Sequence, residues 1–338
     1  MTWGIHMNRV HPVDSLFRML TSIEPYGKGM VEVPSRLRGL AFFPGGDGLW
    51  KEPGSTVRAD LPIEKIMVIG NTFQCTSNFA KLEVLGQEDP DRDSTWRNML
   101  ALFSEVGINR SDCFFTNAFM GLVEGDDPTL TVPAMRDYGF LSRCREFMKA
   151  QITLLKPKLI LGLGTKVPSF LAPLANLPAH WATAKNWRDL DEGKGPLCSS
   201  AIFPGVGHAT AVAFLLHPCL RHSNLRFRTY RALTGAEAEL ALLRDGLNLS
   251  GLHADCSHQM QDPLLVSHPG LPVPSTTECL CCARKLPFTL PRACPSCGLV
   301  LHGHGWAGLS FHWRSAHESE RSYESVRDSL CAAHGGWS

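Results

Sequence analysis

The sequence predicts an α/β fold in which helices cover both faces of a central, mainly parallel sheet of four strands, followed by a small cysteine-rich module. Two observations predict the first part: short, almost continuously apolar segments recur between residues 61 and 235, and helical patterns separate them. Strands of a parallel sheet are almost continuously apolar because helices cover both faces of the sheet and exclude water. A third observation predicts the second part: six of the twelve cysteines lie in the last 60 residues.

The elements of this three-layer α/β/α arrangement follow from apolar periodicity and end signals. The predicted strands are, in chain order, 64–70, 112–118, 157–164 and 210–218. The predicted helices are 94–107, 135–155 and one that begins at Thr165. Ser94 is the expected N-cap of the first helix and Gly107 its C-terminal stop. The second helix is expected to end before Lys156, which precedes a proline.

Composition divides the chain into four parts. Residues 1–60 are predicted to be an N-terminal extension that packs on the core, with the aromatic, glycine-rich segment 36–50 serving as a lid or a wrapping segment. Residues 61–245 form the α/β domain, and residues 246–278, rich in His, Pro and Ser, read as a linker. Residues 279–338 form the cysteine-rich module.

The net charge of +1, from 33 basic and 32 acidic residues, neither favours nor opposes a nucleic-acid partner, so any basic surface must be local. No apolar run reaches the length of about eighteen residues that spans a bilayer. The N-terminus lacks a hydrophobic segment after a basic start, so export is not expected. We therefore expect a cytoplasmic monomer without membrane contact.

Polar residues follow all four predicted strands, in the segments "GNTFQ", "TNAF", "GLGT" and "HPCLRHSN". In open parallel sheets, ligands bind beyond the carboxyl ends of the strands. Loops also need polar, turn-forming residues for purely structural reasons. Four such segments together nevertheless predict a binding or catalytic site at this edge of the sheet.

The order of these motifs resembles the uracil-DNA glycosylase superfamily. In that family a glycine-led segment after the first strand positions the attacking water. An Asn after a following strand reads the extruded base, a "PKLI-LG" strand occupies the centre, and a "HPS" motif after the last strand inserts into the duplex. Here the corresponding segments are "GNTFQ", "TNA", "PKLILGLG" and "HPCLR", so the resemblance covers residues 61–232.

The resemblance implies the catalytic residues. Asn71 matches the position for orienting water or contacting the sugar, and a match shifted by one residue would give this role to Thr72. His217 matches the histidine that hydrogen-bonds the base carbonyl oxygen that gains charge. A structural reading competes with each role: Asn71 could form a turn, and His217 could be a satisfied strand-end histidine.

The resemblance also implies substrate-binding residues. Asn117 matches the base-reading asparagine, whose amide offers both a donor and an acceptor to a pyrimidine edge. Phe73 could stack on the extruded base or belong to the core, and Gln74 could hydrogen-bond the edge of the base. The basic run 221–231 suits phosphate contacts, although a solvated helix face would look alike. The predicted DNA-contacting residues are Arg221, Asn224, Arg226 and Arg228.

The chain departs from the family pattern in its substrate-facing motifs. The first segment lacks the usual Pro and an acidic residue, and Cys219 stands where Ser is usual. These differences imply an altered base pocket, with a hypermodified cytosine of phage DNA, uracil or a damaged base as substrate. No paired cysteines lie near the N-terminus, so no iron–sulfur cluster is expected. The strand-end motifs show no obvious lysine, which favours simple hydrolysis over a Schiff-base lyase step.

Cys294, Cys297, His312 and His317 have a spacing close to that of a two-Cys, two-His zinc finger. A module this short needs a metal for folding free energy. A second, outer zinc site could use the pairs that flank the finger, and a four-cysteine ribbon is the competing arrangement. The flanking pairs are Cys279 with Cys282 and Cys331 with His334. We expect one or two structural zinc ions and no catalytic metal.

These observations predict a monofunctional DNA glycosylase that flips out a non-standard base and hydrolyses its N-glycosidic bond. The alternative is a catalytically silent nucleic-acid-binding protein on the same fold, with the zinc module for recognition. A metal-dependent nuclease that uses the C-terminal histidines is a third possibility.

Overall fold

The computed structural model describes residues 11–252, apart from 38, 53–54, 56, 91–92, 128–132 and 194, together with two short strands at 276–278 and 285–287. The chain divides into two compact units, Met1–Gln259 and Met260–Ser338. In the second unit, the described strands Thr276–Glu278 and Lys285–Pro287 pair antiparallel.

The first unit contains helices and strands in mixed order. Its α-helices are α1 Pro12–Leu20, α2 Thr76–Leu85, α3 Ser94–Ser104, α4 Tyr138–Leu155, α5 Val167–Leu171, α6 Trp187–Asp191, α7 Arg221–Asn224 and α8 Gly235–Leu249. Its strands are β1 Met30–Val31, β2 Ile66–Cys75, β3 Cys113–Val123, β4 Leu159–Leu163, β5 Leu197–Ala201, β6 Thr210–Leu215, β7 Thr229–Tyr230 and β8 Leu233–Thr234.

A six-stranded mixed sheet organises this unit, in the order β1-β3-β2-β4-β6-β5. The four central strands β3, β2, β4 and β6 are parallel to one another, and the edge strands β1 and β5 are antiparallel to β3 and β6. The α/β class and the four predicted strands are therefore confirmed, but the predicted count of four strands is too low. The edge strands escaped prediction because β1 has two residues and β5 carries two serines rather than an apolar run.

Side-chain alternation along the central strands separates two cores, one on each face of the sheet. In β2, Met67 and Ile69 belong to one core and Ile66 and Val68 to the other. The first core contains the buried faces of α1 and α4, and the second contains those of α3 and α8. Helices therefore pack on both faces of the sheet.

Several predicted boundaries are wrong. The first strand does not end at Gly70 but continues to Cys75, so the segment "GNTFQ" is strand with an irregularity between Thr72 and Gln74. The N-cap of α3 is Asp93 rather than Ser94, because the Asp93 carboxylate accepts from two backbone N–H groups of the first turn. Helix α8 runs through residue 245, the predicted end of the domain.

Residues 40–49, here called the wall segment, lie against β3. The Phe43 N–H donates to the Phe115 carbonyl oxygen at 2.9 Å, and the Phe115 N–H donates to the Gly48 carbonyl oxygen at 2.9 Å. A Cβ on Gly46 would stand 1.8 Å from the Leu40 carbonyl oxygen, so only glycine permits this close approach. The wall segment therefore has a fixed path beside the carboxyl half of the sheet.

In the part of the chain that the structure describes, no helix combines the length and the apolar character needed to cross a membrane.

Candidate active site

A cavity of about 290 Å³ lies at the carboxyl ends of the parallel strands. This volume is near the lower end of the range for small-molecule sites, about 300 to 1,000 Å³. The cavity brings together all six residues that the resemblance implied for catalysis and base binding, namely Asn71, Thr72, Phe73, Gln74, Asn117 and His217. Their meeting follows from topology, because β2, β3, β4 and β6 are parallel neighbours.

Asn117 is held by contacts on two sides. Gly70 lies opposite Asn117 in the β2–β3 register, and a Cβ on Gly70 would stand 2.5 Å from Asn117 Oδ1. On the other side, Asn117 Nδ2 donates to the Phe43 carbonyl oxygen at 3.0 Å. This bond assigns the amide orientation and leaves Oδ1 and the second N–H available. Asn117 is only 2% exposed, so its amide is preorganised within the protein.

Asn71 and Thr72 line the cavity from the last part of β2. Asn71 Oδ1 is buried and has no hydrogen-bond partner among the described residues. A buried acceptor without a donor costs about 1–3 kcal/mol, so Oδ1 is suited to accept from a bound water or ligand. Thr72, half-buried and opposite Phe119, has no such exceptional feature. Of these two residues, Asn71 is therefore the one with a buried acceptor that lacks a donor.

Phe73 and Gln74 occupy different surroundings. The Phe73 ring is 8% exposed and packs in a small cluster with Phe79, at 5.8 Å between ring centroids. A Cβ on Gly45 would stand 1.8 Å from this ring, so the wall segment covers it. Gln74 Oε1 accepts from Asn78 Nδ2 at 3.4 Å, which leaves the Gln74 amide N–H groups as donors. Most of the Phe73 ring therefore belongs to the core.

His217 lies two residues after the end of β6 and contacts Cys219, with 3.0 Å between Cys219 Sγ and His217 Nδ1. Burial lowers the pKa of His217, and the nearby Asp93 carboxylate opposes this shift. Burial raises the pKa of the Cys219 thiol. Both groups are therefore neutral near pH 7, and in the tautomer in which the Cys219 thiol donates to Nδ1, the imidazole proton is on Nε2. His217 can thus donate a hydrogen bond to a ligand while uncharged.

A buried carboxylate positions the segment that carries His217. Glu239 of α8 is fully buried; its Oε1 accepts from the Leu216 N–H at 2.9 Å, and its Oε2 accepts from Arg221 Nε at 2.6 Å. From the other side, Asn98 Nδ2 of α3 donates to the Pro218 carbonyl oxygen at 2.9 Å. The His217 segment is therefore tied to both α3 and α8.

The four residues predicted to contact DNA differ in their burial and in their contacts. Arg228 cannot contact a phosphate backbone as predicted, because it is fully buried, forms an ion pair with Asp191 at 3.1 Å and donates to the Phe214 carbonyl oxygen. Arg221 is largely engaged by Glu239. Asn224 Nδ2 donates to the Leu220 carbonyl oxygen at 3.0 Å. Arg226 is exposed, with its guanidinium 4.5 Å from the Phe227 ring centroid.

Several cavity residues were not singled out from the sequence. Phe42 of the wall segment presents a half-buried ring, 4.9 Å from the Trp96 ring centroid, and offers an aromatic face that Phe73 largely lacks. Lys166 lines the cavity and is exposed, so the strand-end motifs do include a lysine. Leu220, 47% exposed, is an apolar side chain at the cavity surface. The "AFF" of residues 41–43 and the lysine in "GLGTK" were the available signals.

Two carboxyl groups complete the lining. Glu88 and Asp93 lie in the connection between α2 and α3, which carries no strand-end motif, and no pattern in the sequence pointed to them. Asp93 also caps α3, with bonds of 2.7 and 3.1 Å from the N–H groups of Thr95 and Trp96.

Within the described residues, no group of three or more His, Cys, Asp or Glu side chains is arranged to hold a metal ion. The predicted zinc ligands all lie outside the described residues. They are Cys279, Cys282, Cys294, Cys297, His312, His317, Cys331 and His334.

In comparison with known proteins, the sequence matches no protein-family model, and no curated protein sequence is significantly similar to it.

Proposed function

We propose that this protein is a DNA glycosylase that takes an extruded base into the cavity and hydrolyses its N-glycosidic bond, leaving an abasic site. One observation carries the proposal. Asn71, Asn117 and His217, identified in the sequence by their resemblance to uracil-DNA glycosylase motifs, line one cavity of about 290 Å³ at the carboxyl ends of the parallel strands. The parallel topology brings these segments together, and two further features suit that edge of the sheet to a ligand: the Asn117 amide is held in one orientation, and the buried Oδ1 of Asn71 has no partner among the described residues.

Each polar group has a role that its contacts support. A base held in the cavity presents its edge to Asn117, whose amide is oriented by Phe43. His217 donates from Nε2 to a carbonyl oxygen of the base, and its neutral state preserves it as a donor without adding a charge. Such preorganised donors stabilise the charge that develops on the base as the C1′–N bond breaks.

The attacking water belongs beside Asn71. Its buried Oδ1 accepts a hydrogen bond from the water and directs the oxygen towards C1′ of the sugar. The bonding electron pair of the C1′–N bond leaves with the base, the water oxygen bonds C1′, and a water proton is released. The chemistry has the dissociative character of glycoside hydrolysis, so orientation contributes more than strong nucleophile activation.

The surface around the cavity suits a flipped nucleotide. Leu220, exposed directly after the His217 motif, can fill the space that the base vacates in the stack, as apolar wedges do in other DNA-bending proteins. Lys166 and Arg226 are exposed cations available to the flanking phosphates. The half-buried ring of Phe42 can stack on the base. Zinc, bound by the C-terminal cysteines and histidines, would be structural.

The proposal is tested with duplex and single-stranded oligonucleotides that each carry one candidate base, incubated with and without chelator and then treated with alkali. A glycosylase gives breaks that require alkali and persist with chelator. A metal-dependent nuclease gives direct breaks that chelator removes. A silent DNA-binding protein gives a complex without product on every base, which would contradict the proposal.

A further inference from the structure

Glu88 is a cavity residue to which the proposed function assigns no role. Its Oε2 accepts from the Ala41 N–H of the wall segment at 2.8 Å. Its carboxyl group also bonds the side chain of Trp96, which is only 2% exposed. These two contacts enclose the carboxyl group between the wall segment and α3, and the residue lines the same cavity as Asn117 and His217. Glu88 is half-buried as a residue, and these contacts fix its carboxyl group at the side of the cavity.

The surroundings of Glu88 favour its protonated form. Burial raises the pKa of Glu88 to about 7, and the nearby Asp93 carboxylate acts in the same direction, while the hydrogen bonds from Ala41 and Trp96 act against the shift. The other titratable residues of the cavity are Asp93, Lys166, His217 and Cys219. The pKa of His217 is lowered and that of Cys219 is raised, whereas the pKa of Glu88 is about 7, so we expect Glu88 to lose a proton near neutral pH.

We infer that Glu88 is the proton donor of the site and that it equips the enzyme for bases with an exocyclic amino group, which leave poorly as anions. This inference rests on the proposed glycosylase function and assigns its substrate class. As the C1′–N bond breaks, its electron pair moves onto the base and the proton of Glu88 passes to the base. The water oxygen then bonds C1′, and a proton of that water restores the Glu88 acid.

The chemistry of the base explains why such an acid is useful. A base with a second carbonyl group, such as uracil, delocalises the negative charge of the departing anion over two oxygens and needs little help from a proton. A cytosine-type base has an amino group in place of one carbonyl, so its anion is less stable and protonation lowers the barrier more. General acid catalysis contributes about 10²- to 10⁴-fold, and it is most efficient when the pKa of the acid lies near the working pH.

The test compares target bases two at a time, each placed in the same duplex oligonucleotide. The two bases of a comparison differ only in having an amino or a carbonyl group at position 4. The comparisons are cytosine with uracil, 5-hydroxymethylcytosine with 5-hydroxymethyluracil, and the glucosylated forms of the latter two. Single-turnover excision rates are measured between pH 6 and 9 for the wild type, Glu88→Gln and a control, Glu105→Gln, which changes an exposed glutamate at the end of α3.

For an amino-bearing base, we expect the wild-type rate to fall about tenfold per pH unit above about pH 7, since the acid form of Glu88 is lost there. Glu88→Gln should lower this rate about 100-fold or more and remove the pH dependence, while Glu105→Gln behaves as wild type. The carbonyl partner of each pair should be much less sensitive to pH and to Glu88→Gln.

Other outcomes separate the two levels of the proposal. Excision by the wild type with no change in Glu88→Gln, or an equal effect on both members of each pair, would overturn the role of Glu88 and leave the glycosylase standing. No excision of any base would overturn both. The pH profiles of wild-type excision on an amino-bearing base and on its carbonyl counterpart can be compared without any variant. The inference therefore remains testable even if Glu88→Gln folds poorly.

Discussion

The side chain of Asn117 occupies the space in which a Cβ on Gly70 would stand, with only 2.5 Å between that Cβ and Asn117 Oδ1. Real Cβ atoms are not found so close to another side-chain atom, so any larger residue at position 70 must displace the amide. The glycine that ends the sequence motif "VIG" is therefore explained by the neighbouring strand rather than by a turn, since β2 continues straight through it.

Gly70→Ala should reduce base excision by displacing Asn117, although the fold is retained. A misplacement of about 1 Å can cost on the order of 100-fold in rate, so we expect a loss of about 10- to 100-fold in the single-turnover rate. Gly207→Ala is the matched control because a Cβ there meets nothing within 4 Å. An active Gly70→Ala enzyme with wild-type rates would show that Asn117 does not read the base.

The two arginines Arg226 and Arg228 should behave oppositely. Arg226→Ala should weaken DNA binding and reduce the slope of log K against log salt by about 1, because one phosphate contact is lost. Arg228→Ala should instead lower the free energy of unfolding by about 3–5 kcal/mol, because it leaves the buried Asp191 without its partner. Salt-dependent binding titrations and urea denaturation measure the two effects. An unchanged salt slope in Arg226→Ala would remove this residue from the DNA-binding surface.

Glu88 should make the protein less stable as the pH rises. Its folded-state pKa, about 7, lies above its usual value of 4.5, so the folded protein holds the proton more tightly than the unfolded chain. Stability is therefore lost as pH rises from about 4.5 to 7, by on the order of 3 kcal/mol. His217 has the opposite sign: its pKa is lowered from 6.5, so it costs stability as pH falls below that value.

Urea denaturation at several pH values isolates the contribution of Glu88. The free energy of unfolding of Glu88→Gln minus that of wild type should increase from pH 5 to pH 8, because the variant has no carboxyl group to ionise. A difference between the two proteins that stays constant across this range would mean that the Glu88 carboxyl is not buried in solution.

The C-terminal cysteines and histidines should retain zinc during purification. Elemental analysis is expected to find about one or two zinc ions per chain. Replacing both Cys294 and Cys297 by Ser should remove about one of them, whereas Cys198→Ser, in strand β5, should remove none. A purified chain without zinc would contradict the zinc-finger interpretation.

The sequence predicted the central strands because buried parallel strands have an apolar signature that is independent of their surroundings. It did not predict β1 and β5, which are short or polar, or the continuation of β2 through "GNTFQ". In β2 the polar residues are tolerated because they face a cavity rather than packed apolar side chains. Local patterns cannot distinguish that situation from a loop.

The candidate site was predictable where its residues lie in or just after the central strands and unpredictable where they come from elsewhere. Asn71, Asn117 and His217 were identified by resemblance to family motifs at the predicted strand ends, and the parallel topology brings these positions together. Phe42, Glu88 and the burial of Arg228 depend on how the wall segment, the connection between α2 and α3, and Asp191 pack against those strands. Such long-range contacts leave no periodic pattern in the sequence.

The most direct test of the central claim is the single-turnover formation of abasic sites by wild type, Asn71→Ala and His217→Ala, on the base that the wild type excises fastest. Wild type should produce abasic sites, and each variant should be slower by about 100- to 1,000-fold while binding the same duplex with similar affinity. Excision that survives both substitutions at wild-type rates would contradict the account, because the reaction would then lie outside this cavity.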